Sequence, residues 1–412
     1  MDITQFLLDR ISRRFGPGSL EIEAPGGRRW QLGRGEPHAR MVLHRAPALA
    51  RMLLDPELAF GESYVDGDWD APDGLLPVLH AALSMTQPLR EGPGSRRWRR
   101  LRSLGGEFNS RARSRRNVEH HYDLDFDLYR RFLDADLHYS CAYFREPGMS
   151  LEAAQQAKCA HIAAKLDLAP GAQVLDIGCG WGSLALYLAE HFDVRVTGIT
   201  LSREQLDVAR RRALQRGLAG RVDFRLQDYR ETAGAYDAIV SVGMFEHVGR
   251  PYYDAFFRQL PQLARPDTVM LLHTIGRSSP PGSTNPWVRK YIFPGGYTPA
   301  ASEVLAAAEK SGLVATDLEV WRLHYASTLR EWHVRFQQAR ADIRERMGER
   351  FCRMWEFYLQ ACEASFRWDD LRVFHLQLSA RQDRLPLTRD YLYRAADVES
   401  REPARARLRS VR

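Results

Sequence analysis

The sequence predicts an α/β protein in which a doubly wound, mostly parallel sheet follows a smaller amino-terminal α+β domain. Two observations carry this expectation. From Gln173 onward, strand and helix patterns alternate as QVLDIG, SLALYLAEHF, VRVTGIT, SREQLDVARRRALQRG, VDFRLQ, YDAIVSV and TVMLLHTI. Alternation of this kind builds a parallel sheet covered by helices on both faces. The first of these strands also runs into a glycine-rich turn, Gly178-Cys179-Gly180-Trp181-Gly182, that opens a helix. Ligands of open α/β sheets bind at the carboxyl ends of the strands, where this turn lies.

The earlier elements are shorter. Ile3, Phe6, Leu7 and Ile11 share one helical face, and Leu20 to Glu23, Trp30 to Gly33 and Arg40 to His44 read as strands around a Gly26-Gly27 turn. Helical patterns follow at Ala48 to Leu54 and Leu75 to Met85. The expected organisation is an amino-terminal domain over residues 1–90, an arginine-rich linker over 91–117, the large α/β domain over 118–400, and a basic, disordered tail over 401–412. Late in the α/β domain, Tyr325 to Arg346 and Arg350 to Phe366 read as helices and Leu371 to Leu378 as a closing strand.

Composition narrows the class. The 412 residues are 44% hydrophobic and 27% charged, which is enough apolar material for two cores. No apolar run approaches the roughly 18 residues of a membrane span, and Asp2 and Arg10 stand where a signal peptide keeps its apolar stretch. Five cysteines without a CxxC spacing indicate neither a disulfide framework nor a cysteine zinc site. A cytoplasmic protein is expected, with no metal. Nine arginines between Arg96 and Arg116, against the single acid Glu107, more than account for the net charge of +7, so the basic character belongs to one segment.

Gly178 and Gly180 let the backbone turn tightly and approach a ligand that a Cβ would push away. A dinucleotide turn places its third glycine where this chain has Ser183. The spacing fits a ligand without a pyrophosphate, such as S-adenosylmethionine, with Asp176 attracting its cationic amino-acid end. Gln227-Asp228-Tyr229, ending the third strand, offers an acceptor for an adenine amino group and a ring to lie against the base. The second strand ends in Gly198-Ile199-Thr200-Leu201-Ser202, without an acid for the ribose hydroxyls.

Together the motifs resemble the cyclopropane-fatty-acid-synthase family of S-adenosylmethionine-dependent lipid methyltransferases. The resemblance rests on His120-His121-Tyr122-Asp123-Leu124, Tyr139-Ser140-Cys141-Ala142-Tyr143-Phe144, LDIGCGWGS from Leu175, GITLSREQ from Gly198 and QDYR from Gln227. It continues through Gly243-Met244-Phe245-Glu246-His247-Val248-Gly249, LLHTIG from Leu271, FPGG from Phe293 and HYASTLREW from His324. Gly61-Glu62-Ser63-Tyr64-Val65-Asp66-Gly67-Asp68-Trp69 is similar to the hallmark of the amino-terminal domain in full-length bacterial members, so the resemblance runs from about residue 1 to 390. One departure is Asp125-Phe126, where many relatives carry Gly-Asn after HYDL. The resemblance implies a Rossmann-like class I methyltransferase fold and a homodimer. It implies a cofactor pocket of Tyr139, Ser140, Asp176, Gly178, Gly180, Thr200, Leu201, Gln205, Gln227, Asp228, Tyr229, Val242 and Gly243. The implied reaction moves the cofactor's methyl carbon to the cis double bond of an unsaturated phospholipid acyl chain and closes a cyclopropane.

That chemistry makes demands. A cis alkene is a weak nucleophile, so it must be held in line with the sulfonium methyl in a pocket that excludes water. Attack leaves a carbocation, and a base must then remove a proton from the transferred carbon. Relatives hold a bicarbonate as that base, and the groups implied to bind it fall on Cys141, Glu246, His273, Ile275 and Tyr325, with Cys141 and Ile275 acting through backbone N–H. Cys362 is implied to line the site. Each has a plainer reading: a strand-end histidine is usually a satisfied polar group, Tyr325 a packing aromatic, and the cysteines buried thiols. His247 and His120-His121 lack the HxxxH or carboxylate spacing of a metal site.

A phospholipid substrate implies docking at the inner face of a membrane. The Arg96 to Arg116 cluster, with Arg405, Arg407, Arg409 and Arg412, either attracts anionic headgroups or is a solvated linker and tail. Two alternatives remain at this stage. One keeps cofactor and substrate but stops at a methyl-branched or methylene lipid. The other makes the arginine-rich segment a nucleic-acid contact, although it carries no groove-reading motif.

Overall fold

The computed structural model describes residues 3–91 and 126–394. The arginine cluster, the basic tail, Asp125 and the His120 to Leu124 motif lie outside the described residues. The described residues form two compact units, the first from residues 3–91, 282–294 and 326–371, the second from 126–281, 295–325 and 372–394. The division is discontinuous along the chain, whereas continuous domains over 1–90 and 118–400 were expected. Two late stretches group with the amino-terminal residues because their apolar faces find partners there.

In the first unit, β1 (Gly18–Glu23), β2 (Arg29–Arg34), β3 (His38–Leu43) and β4 (Trp69–Asp70) form a sheet of order β2-β1-β3-β4. The Gly61 to Trp69 motif is a packing device in this unit. A Cβ on Gly61 would lie 2.7 Å from both Trp287 and Phe357, so only glycine lets the helix Pro56–Val65 approach those rings. Arg353 donates to the carbonyls of Tyr64 (2.6 Å) and Trp69 (2.8 Å), with its guanidinium 4.1 Å from the Tyr64 ring centre. His80 stacks on Trp368 at 3.8 Å. These contacts seat the apolar face of the helix Glu349–Trp368.

The second unit holds β5 (Ala172–Ile177), β6 (Val194–Thr200), β7 (Val222–Leu226), β8 (Tyr236–Val242), β9 (Ala264–Arg277), β10 (Val314–Trp321) and β11 (Leu371–Ser379). Their order is β10-β11-β9-β8-β5-β6-β7. The pairs β5–β6, β5–β8, β6–β7 and β8–β9 are parallel, and β10–β11 is antiparallel. Side chains of one strand alternate between faces, and both faces are covered: Val174, Ala238 and Val240 enter one core cluster, Leu175, Ile177 and Ile239 the other. Chain reversal between β5 and the adjoining β6 and β8 opens a crevice at their carboxyl ends.

The pattern of β10 is inside out. Leu318 and Val320 on its outer face are 36% and 43% exposed. On its inner face Asp317 and Glu319 meet the fully buried Lys165, whose Nζ lies 3.2 Å and 2.8 Å from them. Among the described residues, no helix is long and apolar enough to cross a membrane.

Candidate active site

Every residue expected around the cofactor lines one cleft at the carboxyl ends of β5, β6, β7 and β8. Gly178 turns with φ 84°, and a Cβ there would lie 2.7 Å from the Met244 side chain. Thr200 Oγ1 donates to Gln205 Oε1 (2.8 Å) and accepts from the Ser202 amide (3.2 Å). Ser202 Oγ accepts from the Gln205 amide (3.2 Å), capping the helix Arg203–Gln215, so the Thr200–Gln205 pair is pinned by a helix start. The Arg230 guanidinium donates to both oxygens of Asp228 at 2.8 Å and 2.6 Å, holding that carboxylate as a fixed acceptor. Tyr229 packs edge-on against Phe256 at 5.3 Å and is 8% exposed, so its ring belongs to the core as much as to the cleft.

Two opposite charges are buried in this cleft. Asp176 has a sealed Oδ2 with no hydrogen-bond partner, and burial pushes its carboxyl up to about 7 against the opposing pull of Lys158. Lys158 is 1% exposed, and its Nζ donates to Ser140 Oγ (2.9 Å) rather than to a carboxylate. Burial lowers its pKa. A buried carboxylate and a buried ammonium, each short of partners, match a zwitterionic amino-acid group. Sequence reasoning missed Lys158, which lies mid-helix in Leu151–Leu166 outside any motif. The available signal was its rarity, since only four of the 59 basic residues are lysines.

Beyond the cleft wall, the register Val242↔His273 ends the β8–β9 ladder, and the Gly243 amide donates to the His273 carbonyl (2.9 Å). Past that point the Ile275 amide donates to Glu246 Oε1 at 2.5 Å. The Ile275 amide, expected to face the anion, is thus engaged by the Glu246 carboxylate in this structure. Glu246 Oε2 is sealed without a partner, and burial pushes this carboxyl up to about 7. His273 is 1% exposed, with Nδ1 2.7 Å from His375 Nε2, and burial with the charges of Lys158 and Lys165 pushes it down to about 3.

Trp321 meets His273 edge-on at 5.5 Å and His324 at 5.5 Å, and buried Tyr325 follows His324 in the first turn of the helix His324–Met347. Cys141 is fully buried beside Ser140, its thiol donating to the Ala142 carbonyl. Cys362 belongs to the first unit, and burial pushes its thiol up to about 12, so it holds no thiolate at neutral pH. His161, Glu319 and His375 offer ligand atoms within 4.8 Å of one another. Glu319 Oε2, however, already accepts from His161 Nε2 and Lys165 Nζ, both at 2.8 Å, so an ammonium supplies the cation there.

A mostly parallel sheet of this order, with a glycine turn at its switch point and a buried Asp176 and Lys158 lining the cleft beside it, is the form of an S-adenosylmethionine-dependent class I methyltransferase. Residues 109–376 match the model of the family described as mycolic acid cyclopropane synthetase, and the chain belongs to that family. It is 40% identical over 336 residues to the cyclopropane-fatty-acyl-phospholipid synthase of Escherichia coli, covering 80% of this chain and 85% of that one. It is 37% identical over 367 residues to the tuberculostearic acid methyltransferase UfaA1 of Mycobacterium tuberculosis, covering 84% of each. The solved mycolic acid cyclopropane synthase CmaA1, complexed with SAH and CTAB, superposes with a TM-score of 0.60 at 33% identity, covering 64% of this chain and 97% of that one.

Proposed function

We propose that this protein transfers the methyl carbon of S-adenosylmethionine to the cis double bond of an unsaturated phospholipid acyl chain and closes a cyclopropane ring, with bicarbonate assisting the deprotonation. The observation that carries the reading is Glu246: a sealed carboxyl near neutrality, oriented by the amide of Ile275, two residues past His273, where the β8–β9 ladder ends. The name of the Escherichia coli relative supports the phospholipid substrate.

The cofactor supplies an electrophilic methyl group. Asp176 and Lys158 bind and orient its amino-acid end, while the Gly178 turn lets the backbone come close. Bicarbonate, when bound, supplies the base for the ring-closing proton. The side chains fit such an anion, because Glu246 Oε2 is sealed without a hydrogen-bond partner and His375 engages His273 through Nδ1, the ring nitrogen other than Nε2. Glu246 would share a proton with it, since a carboxylate and an oxyanion in contact repel unless one proton lies between them. His273, Tyr325 and the Cys141 amide would complete the cradle. Sealed surroundings keep water from the carbocation, and the rings nearby suit positive charge.

Incubating purified protein with methyl-labelled S-adenosylmethionine and unsaturated phospholipid vesicles, then identifying the lipid by mass and proton spectra, tests the reading. A cyclopropane is the expected product; no labelled lipid refutes the function. A methyl-branched product would instead favour the second reading, which the likeness to UfaA1 supports. Peripheral membrane contact and a homodimer belong to the same proposal. Co-sedimentation with anionic liposomes that fails at high salt supports electrostatic docking, and a monomer by light scattering would exclude the dimer.

A further inference from the structure

Behind His273 lies a second imidazole that the chemistry above does not use. His375 is fully buried on β11, 102 residues further along the chain, with Nε2 2.7 Å from His273 Nδ1. Both rings are held neutral, so one proton lies in that hydrogen bond and two arrangements exist. In one, His375 donates from Nε2 and leaves its own Nδ1 as a bare lone pair. In the other, His273 donates from Nδ1, and His375 carries its proton on Nδ1.

The far side of His375 decides between them. His375 Nδ1 is sealed and has no hydrogen-bond partner. A buried N–H without an acceptor is rarer and costlier than a buried acceptor without a donor. Burial first, and then His273, Lys165, His161 and Lys158, hold His375 neutral, and the positive charge of Lys165 favours a lone pair over an N–H dipole on that ring. Glu319, the carboxylate of this cluster, is engaged by His161 and Lys165. Trp321 stacks on His375 at 4.0 Å and abuts His273 edge-on, so neither ring turns over without disrupting packing.

We propose that His375 is a positioning residue that fixes the tautomer of His273, so that His273 presents an Nε2–H donor, and not a base, to the anion at the ring-closing site. This rests on the reading that His273 faces that anion. His273 Nδ1 then accepts from His375, and no lone pair is left on His273 Nε2 to take a proton from the transferred carbon. The ring-closing proton must leave to the anion beside Glu246.

Long-range proton–nitrogen correlation spectra of the full protein carrying 15N-labelled histidine read the tautomer directly, with His273→Gln identifying its signals. A protonated Nε2 and a bare Nδ1 on His273 in the wild type are expected; a protonated Nδ1 overturns the proposal. His375→Phe should cost on the order of a hundredfold in turnover, with cofactor affinity by calorimetry unchanged. His375→Gln, whose amide N–H can reach the same place, should restore most of that loss. Equal losses in Phe and Gln variants would reduce His375 to packing and overturn the proposal. Turnover indifferent to bicarbonate, with the tautomer as stated, would remove the anion reading and still support the assignment of His375.

Discussion

Replacing Glu246 by Gln should make the protein more stable above neutral pH while nearly abolishing turnover. Burial moves this carboxyl from an ordinary 4.5 to about 7. The unfolded chain ionises near 4.5 and the folded one near 7, so between these values the folded state holds more protons and stability falls as pH rises. Above pH 7 the sealed anion costs about 3 kcal/mol. A neutral amide removes that cost and still offers an oxygen to the Ile275 amide. The melting midpoint of Glu246→Gln should therefore match the wild type near pH 4.5 and exceed it by several degrees at pH 8. Turnover should fall at least about a hundredfold, with affinity for S-adenosylhomocysteine nearly unchanged. Calorimetric melts at both pH values, beside product formation from labelled cofactor, check both halves. A variant less stable at pH 8, or turning over at the wild-type rate, refutes the reasoning.

Three further outcomes follow from the same geometry. Because Asp176 titrates near 7 and only its anion attracts an ammonium, affinity for S-adenosylhomocysteine should rise about tenfold from pH 6 to pH 8; titration calorimetry should find this slope absent in Asp176→Asn. Lys158→Met should weaken S-adenosylhomocysteine about tenfold or more and leave 5′-methylthioadenosine, which lacks the amino-acid group, unaffected in the same calorimeter. Gly61→Ala forces a Cβ within 2.7 Å of Trp287 and Phe357 and should cost about 1–3 kcal/mol of stability by denaturant titration.

Much of the second unit was legible in the chain. VRVTGIT and YDAIVSV coincide with β6 and β8, and the QVLDIG and TVMLLHTI patterns fall on β5 and β9 with ends moved by a few residues. That the residues expected around the cofactor would share one cleft was legible because most of them cluster within a few positions of strand ends, where the topology leaves little freedom. By contrast, β10 was not legible. Its apolar side chains face outward and its acids inward, because Lys165 and His161 wait for Asp317 and Glu319 on a helix more than 150 positions earlier. Nor did periodicity show that the helix Glu349–Trp368 packs with Gly61 and Tyr64.

By itself the sequence determined the alternation of strands and helices, the glycine turn, and the residue types gathered at the strand ends. Those are local properties: spacing fixes which face of an element is buried, and a motif fixes how the backbone turns. Only the tertiary structure decided that the Ile275 amide serves Glu246, that Lys158 shares a cleft with Asp176, and that His273 leans on His375. Such pairings join elements far apart in the chain. They are set by which strands lie side by side, and burial then moves their proton affinities to values no isolated side chain would have.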